Sequence, residues 1–345
     1  MLRRSAGIQT ASFILSRLRG AIVIVFGVSL LVFALARTLP GDPARLALGP
    51  AASPEQVQAL RLQMGLDRPF FEQYWIFLKG ASRLDFGVSL YTNRPVAQDL
   101  ARALPATLEL ALAAGVIMII FGLLLGIASA RWKDRWFDNL LRPFTLLSVA
   151  MPNFVWAIIF VLILSFWFGL FPIAGRLSER LTQPPFVTGL LTVDAIVAGR
   201  FDVLRDALHH LVLPAIALSL PGIAQVSRLT RANMVESYMR PYVEFARAYG
   251  FPEREIACKW ALRPALIPTF TLISMQIVLM LGNAFLIETV FAWPGMARYG
   301  VEAILRKDLN SVVAVVMVFS LAFILVNIFI DAFVALIDPR IRYRG

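Results

Sequence analysis

Histidine and cysteine are almost missing from this chain: His209, His210 and Cys258 are their only representatives among 345 residues. One thiol excludes an intramolecular disulfide and a cysteine-based metal cluster. The adjacent histidines read as a solvated pair in a loop, with metal binding as the alternative, and no further ligand stands near them. No G-x-x-x-x-G-K-S/T phosphate loop occurs, so the chain cannot hold ATP in that way, and H-E-x-x-H and G-x-S-x-G are missing too. The sequence therefore offers no catalytic residue and no metal site. Charge is scarce as well, at 16% of residues.

What replaces charge is apolar surface. Hydrophobic residues make up 59% of the chain and mean hydropathy is +0.72, values foreign to soluble domains. Six charge-poor runs, 20–36, 110–130, 143–175, 211–227, 264–287 and 309–330, are long enough to cross a bilayer. None alternates as a barrel strand does, so all six are expected to be helices that satisfy their own backbones in lipid. The run 211–227 is the shortest case, and Pro214 and Pro221 predict a kink in it. The fold class is an all-α polytopic membrane protein with six transmembrane helices.

The net charge of +11 raises the question of nucleic acid, but its distribution answers to topology. With the N-terminus inside, the cytosolic pieces 1–19, 131–142, 228–263 and 338–345 hold 18 Lys/Arg against 7 Asp/Glu, and the outer pieces hold 15 against 12. Such an inner excess follows the positive-inside rule, places both termini in the cytosol and argues against nucleic acid. A cleaved signal peptide ending at Ala34-Leu35-Ala36 is an alternative for the first run, whose apolar core is longer than an ordinary signal core. Three regions result: 1–37 with the first span, an external insertion 38–103, and a core 104–345 with five spans and a cytosolic loop at 236–263. The insertion has an amphipathic, helix-prone middle at 53–80 and two turns, Leu39-Pro40-Gly41-Asp42-Pro43 and Asp85-Phe86-Gly87-Val88-Ser89.

Several polar residues stand in or beside the spans. Glu109 and Glu288 lie near outer ends and Asp331 near an inner end, so each can reach polar surroundings, and a proton relay is the functional alternative. Gly122, Gly126 and Ala130 form a small-residue face suited to close helix packing. Thr269, Gln276 and Asn283 recur every seven residues on one face of the fifth span, which either lines a substrate path or bonds to a neighbouring helix.

The cytosolic segment YVEFARAYG, 242–250, has no reason to sit in lipid. As a short helix it places Tyr242, Phe245 and Tyr249 at i, i+3 and i+7 with Ala246 and Gly250 beside them, and Gly250 would end it as a C-cap. An amphipathic turn packed under the protein's own helices is the bland reading. The order Glu244, Ala246, Gly250 resembles the E-A-A-x-x-x-G loop of ABC importer membrane subunits, which docks into a groove of the cytosolic ATPase.

The resemblance widens to nearly the whole chain, 12–343. RTLPGDPARLALG, GLDRPFFEQY, LDFGVSL, PATLELAL, IETVFAWPGMAR and IDPRIR look like signatures, in order, of the dipeptide, oligopeptide and nickel permease family of ABC importers, the binding-protein-dependent transport system inner membrane components. Phe245 departs from the loop pattern by replacing its first alanine, and Pro264 stands where the peptide branch has asparagine. The resemblance implies a type I importer permease fold in a bacterial inner membrane, multi-pass, with no enzymatic site of its own. It implies four kinds of partner: a second homologous permease, two ATP-binding cassette subunits that use the ATP, an external solute-binding protein, and the bilayer. It also implies ATPase coupling through Tyr242, Glu244, Phe245, Ala246, Arg247 and Gly250, for a peptide or related small solute. No cofactor is expected on this chain. A secondary transporter or channel working through Glu288 or Asp331 is the alternative, separated from the first reading by co-purification with a Walker-motif protein.

Overall fold

The computed structural model describes residues 20, 23–35, 43–49, 51–63 and 65–337. Their regular elements are helices, and their one β feature is an isolated bridge between Val88 and Pro95. In chain order the helices are α1 (Val23–Leu35), α2 (Pro43–Leu48), α3 (Pro54–Gln63), α4 (Phe70–Ala81), α5 (Val96–Arg131) and α6 (Trp136–Ala150). They continue with α7 (Asn153–Trp167), α8 (Leu191–Val197), α9 (Phe201–Tyr238), α10 (Pro241–Ala248), α11 (Glu253–Val290), α12 (Met296–Leu305) and α13 (Leu309–Ile337).

Among the described residues α5, α9, α11 and α13 are each long and apolar enough to cross a membrane, and α6 with α7 forms a fifth candidate bent by 108°. The run 143–175, expected as one span, is thus a broken one. Its cause is Pro152, whose ring excludes the residue before it from the α region. Met151 accordingly lies at φ −91, ψ 133 and Pro152 at φ −57, ψ 143. The expected first span coincides with α1, a shorter apolar helix, and the rest of that run falls outside the described residues, as does most of the turn expected at 39–43. The run 211–227 is only the middle of a longer helix, because α9 starts at Phe201 and spans 38 residues. Consequently the histidines are not in a loop: both sit on α9. His209 bonds the Leu170 carbonyl at 2.7 Å, and His210 Nδ1 lies 2.9 Å from the Asp206 carbonyl.

The chain divides into two units. The first comprises residues 1–105, 295–328 and 345. There, Phe33, Tyr74 and Val313 form one small core, and Phe86, Val96, Leu100 and Met296 belong to another. Helix α3 opens on a capping box: Ser53 Oγ accepts the Gln56 N–H while Gln56 Oε1 accepts the Ser53 N–H. The Asp85–Ser89 turn forms as expected, with Gly87 at φ 81 and its N–H bonded to Asp85 Oδ1 at 3.0 Å. Asp308, fully buried, holds this turn through Ser89 Oγ at 2.5 Å and the Leu90 N–H at 3.0 Å. Nearby Tyr299 bonds Ser311 at 2.7 Å, and burial pushes its hydroxyl pKa up to about 12, so it stays protonated.

The second unit, 106–294 and 329–344, is built on α9, which packs against α6, α7, α8 and α11. Its main core contains Leu110, Met118, Leu213, Ile223, Ile287 and Trp293. Small residues set how close α5 and α9 come. A Cβ on Gly122 would lie 2.8 Å from Val226, and one on Gly126 would lie 2.6 Å from Thr230 and 2.8 Å from the Ser227 carbonyl. Contacts that close leave no room for even a methyl group, so the small face at 122–130 is a packing face.

Candidate functional site

Helix α10 is built to stand out from the bundle. Pro241 occupies its first turn, where a missing N–H costs nothing, and Arg240 enters it extended. At its end the Phe251 N–H bonds the Ala246 carbonyl at 3.2 Å and the Gly250 N–H bonds the Arg247 carbonyl at 2.9 Å. With Gly250 at φ 79, this is a Schellman cap, the stop expected of that glycine. Val243 and Ala246 face inward, fully buried with Ile256, and Tyr238 and Trp260 pack around them. Ala246 is therefore part of the support of the helix and not of its outer surface.

The outer face carries Tyr242, Glu244, Phe245 and Arg247, followed by Tyr249 and Gly250, all exposed. Phe245 and Tyr249 are 57% and 70% exposed, and their ring centroids are 4.3 Å apart. Arg247 pairs with Glu253 at 2.9 Å and lies 5.9 Å over the Tyr238 ring, which braces the helix against the start of α11. Glu244 makes no ion pair among the described residues. A Cβ on Gly250 would meet nothing within 4 Å, so backbone conformation alone demands the glycine, and the space above it is open. An exposed aromatic pair, one unpaired carboxylate and an open glycine on a buttressed short helix are suited to inserting into a groove of another protein. Directly beyond, α11 passes after Glu253–Glu255 into a π-helical turn, Ile256–Ala261, an irregularity that frequently marks functional helices.

The polar stripe on α11 is divided. Thr269 is buried and bonds the Ala265 carbonyl at 2.8 Å, within its own helix. Gln276 is buried and its Nε2 donates to Gln225 Oε1 of α9 at 2.7 Å. Asn283 is exposed. Spacing put the three near one face, but the first two are buried, Gln276 against α9, and the third is exposed. Gln225 was missed in the sequence, although it is the one amide side chain in the run 211–227.

The carboxylates near the span ends are held by protein. Glu109 accepts from Arg176 Nε at 2.9 Å, from the Thr192 N–H at 2.7 Å and from Thr192 Oγ1 at 2.6 Å. Arg176 also bonds the Gly189 carbonyl at 2.9 Å, so this group ties the 176–192 segment to α5. Glu288, fully buried, accepts from Thr107 Oγ1 at 2.6 Å. The side chain of Asp331 lies outside the described residues. One cluster escaped sequence reading altogether. Asp138, fully buried, accepts from Arg231 Nε and Nη2 at 2.6 and 2.7 Å, from Arg142 Nη2 at 2.6 Å and from Ser129 Oγ. It joins α5, α6 and α9 at the end of the bundle that carries the 131–136 turn, with partners up to 93 positions away.

Against known proteins, residues 118–343 match the model of a family described as binding-protein-dependent transport system inner membrane component. Residues 10–111 match the model of that component's N-terminal region. The chain is 38% identical, over 335 residues covering 97% of it and 98% of the relative, to the probable D,D-dipeptide transport system permease protein DdpB of Escherichia coli. It is 36% identical over 334 residues, 96% and 99% of the two chains, to the dipeptide transport system permease protein DppB of Alkalihalophilus pseudofirmus. It is 33% identical over 333 residues, again 96% and 99%, to the glutathione transport system permease protein GsiC of Escherichia coli.

Proposed function

The chain belongs to the family of binding-protein-dependent transport system inner membrane components, and from that premise we propose that it is the membrane-spanning permease subunit of an ATP-driven importer for peptides or a related small solute. It is a multi-pass membrane protein, and relatives bearing dipeptide and glutathione permease names over their full length support the peptide class of cargo. The observation that carries the mechanism is the outer face of α10. An aromatic surface of this exposure on a polar turn calls for a protein partner, and the family premise supplies one, a nucleotide-binding subunit.

In this reading six spans, α1 included, pair with those of a second permease around a path that opens to each side in turn. Both termini and residues 236–263 are cytosolic, and an external binding protein delivers the solute. Two ATPase subunits close on ATP and push on α10, and the π turn at the head of α11 passes that displacement to the span bearing Asn283. The chain binds no cofactor, carries out no covalent chemistry and contributes no phosphate loop; ATP is spent by its partners.

The test is Gly250→Val in the reconstituted importer. A β-branched residue at φ 79 is strained and breaks the cap that ends α10, while the bundle is untouched. Membrane insertion should be normal, and hydrolysis stimulated by loaded binding protein should fall at least tenfold, a loss of about 1.4 kcal/mol of coupling. Full stimulation in the variant would remove α10 as the coupling element.

A further inference from the structure

Between α5 and α6, residues 131–136 make a turn that the transport reading leaves unused. It is rigid. Asp134 sits at φ 60, a conformation aspartate tolerates better than most residues, and its N–H donates to buried Asp138 at 2.9 Å. Arg142 closes the other side with bonds of 2.5 Å to Asp134 and 2.6 Å to Asp138. Phe137 stands between Trp132 and Trp136, with ring centroids 5.7 and 5.8 Å away, so the two indoles are held edge to face. Trp136 is nevertheless 76% exposed, and Trp132 is exposed too. Lys133 and Arg135 are also exposed, and the side chain of neither has a hydrogen-bond or ion-pair partner among the described residues.

The surroundings say what meets this turn. Val116, Ile120 and Leu124 are exposed at four-residue spacing along α5 and lead toward Trp132. Leu140, Phe144 and Leu147 are exposed along α6 and lead away from Trp136. Two apolar stripes on helices that enter the bilayer therefore converge on two tryptophans, the side chain that collects at headgroup depth. Two free cations sit in the same turn. A protein partner would cover such stripes only within the membrane, whereas a phospholipid matches the whole arrangement: acyl chains along the stripes, glycerol and esters at the indoles, phosphate at Lys133 and Arg135.

We propose that the α5–α6 turn is a binding site for an anionic phospholipid, with Lys133 and Arg135 holding the phosphate and Trp132 and Trp136 the interfacial region of the lipid. Assignment of that lipid to the cytosolic leaflet rests on the orientation proposed above; binding itself does not. The test uses the full-length chain, delipidated in detergent and needing no partner subunit, so it stands or falls separately from the importer reading. Phosphatidylglycerol, phosphatidylcholine and inorganic phosphate are titrated while the unfolding midpoint is followed. Phosphatidylglycerol should raise the midpoint saturably, and the other two should not. Lys133→Gln with Arg135→Gln should weaken phosphatidylglycerol binding about 30-fold, at about fivefold for each charge removed from the surface. Lys133→Arg with Arg135→Lys should keep wild-type affinity, which separates loss of charge from loss of fold. Equal response to phosphatidylcholine or to inorganic phosphate, wild-type affinity in the glutamine variant, or lost affinity in the charge-keeping variant would each overturn the site.

Discussion

Asp194 stays ionised in a place that favours neutrality. Burial pushes its pKa up, but hydrogen bonds from Thr188 Oγ1 at 2.6 Å, the Thr188 N–H at 2.8 Å, the Gly189 N–H at 2.9 Å and the Val187 N–H at 3.3 Å outweigh that, and the net shift is downward. A depressed folded-state pKa stabilises above the unfolded value of about 3.9 and ceases to do so as pH falls through the folded value. Amide protection at Thr188 and Gly189, corrected for intrinsic exchange, should therefore hold from neutral pH down to the unfolded value and be lost below it. Asp194→Asn should cost about 1–3 kcal/mol of local stability at neutral pH and abolish that pH dependence, because it replaces a charged acceptor with an amide. Protection that is unchanged in the variant would deny Asp194 its role in the 187–189 turn. None of this was legible in the sequence, and neither was Asp138, since a carboxylate's role is written in partners that the fold brings from elsewhere. Gly250 was legible because its role is local: a cap is decided by the backbone of one residue.

For single elements, hydropathy located every span that the described residues contain, while proline chemistry and helix extension set the true limits. Apolar content cannot register that α9 runs ten residues before and eleven residues after the run 211–227, because a helix does not end where lipid does. Nor does it register the break at Met151-Pro152, because the run 143–175 is free of charge on both sides of it. Heptad spacing found the face of α11 but not its neighbour. The division of that face yields a prediction for each half. Gln276→Leu leaves Gln225 without its partner inside the bundle, and should lower the stability of the chain by about 0.6–2 kcal/mol, read as its unfolding midpoint in detergent. Asn283→Leu should leave that midpoint unchanged and reduce solute uptake several-fold by the assembled importer. Normal uptake by the Asn283 variant would remove the last member of the stripe from the path.

As a whole molecule, the chain was recognisable from ordered motifs that run nearly end to end, and the family match over 118–343 agrees with them. The division into units 1–105 with 295–328 and 106–294 with 329–344 was not foreseen, because residues far apart in the sequence share a unit. The proposed mechanism depends on one contact, α10 against an ATPase subunit on the cytosolic side. The most direct measurement is cross-linking in membranes containing the full importer, with Cys258→Ser as background. A cysteine introduced by Tyr249→Cys, at the exposed tip of α10, should form a thiol-to-amine cross-link with an ATP-binding cassette subunit and resist an impermeant reagent added outside intact cells. A cysteine introduced by Glu179→Cys should do the opposite on both counts. A Tyr249→Cys chain that is labelled from outside, or that yields no cross-link while the ATPase subunits remain bound to the complex, would contradict the account.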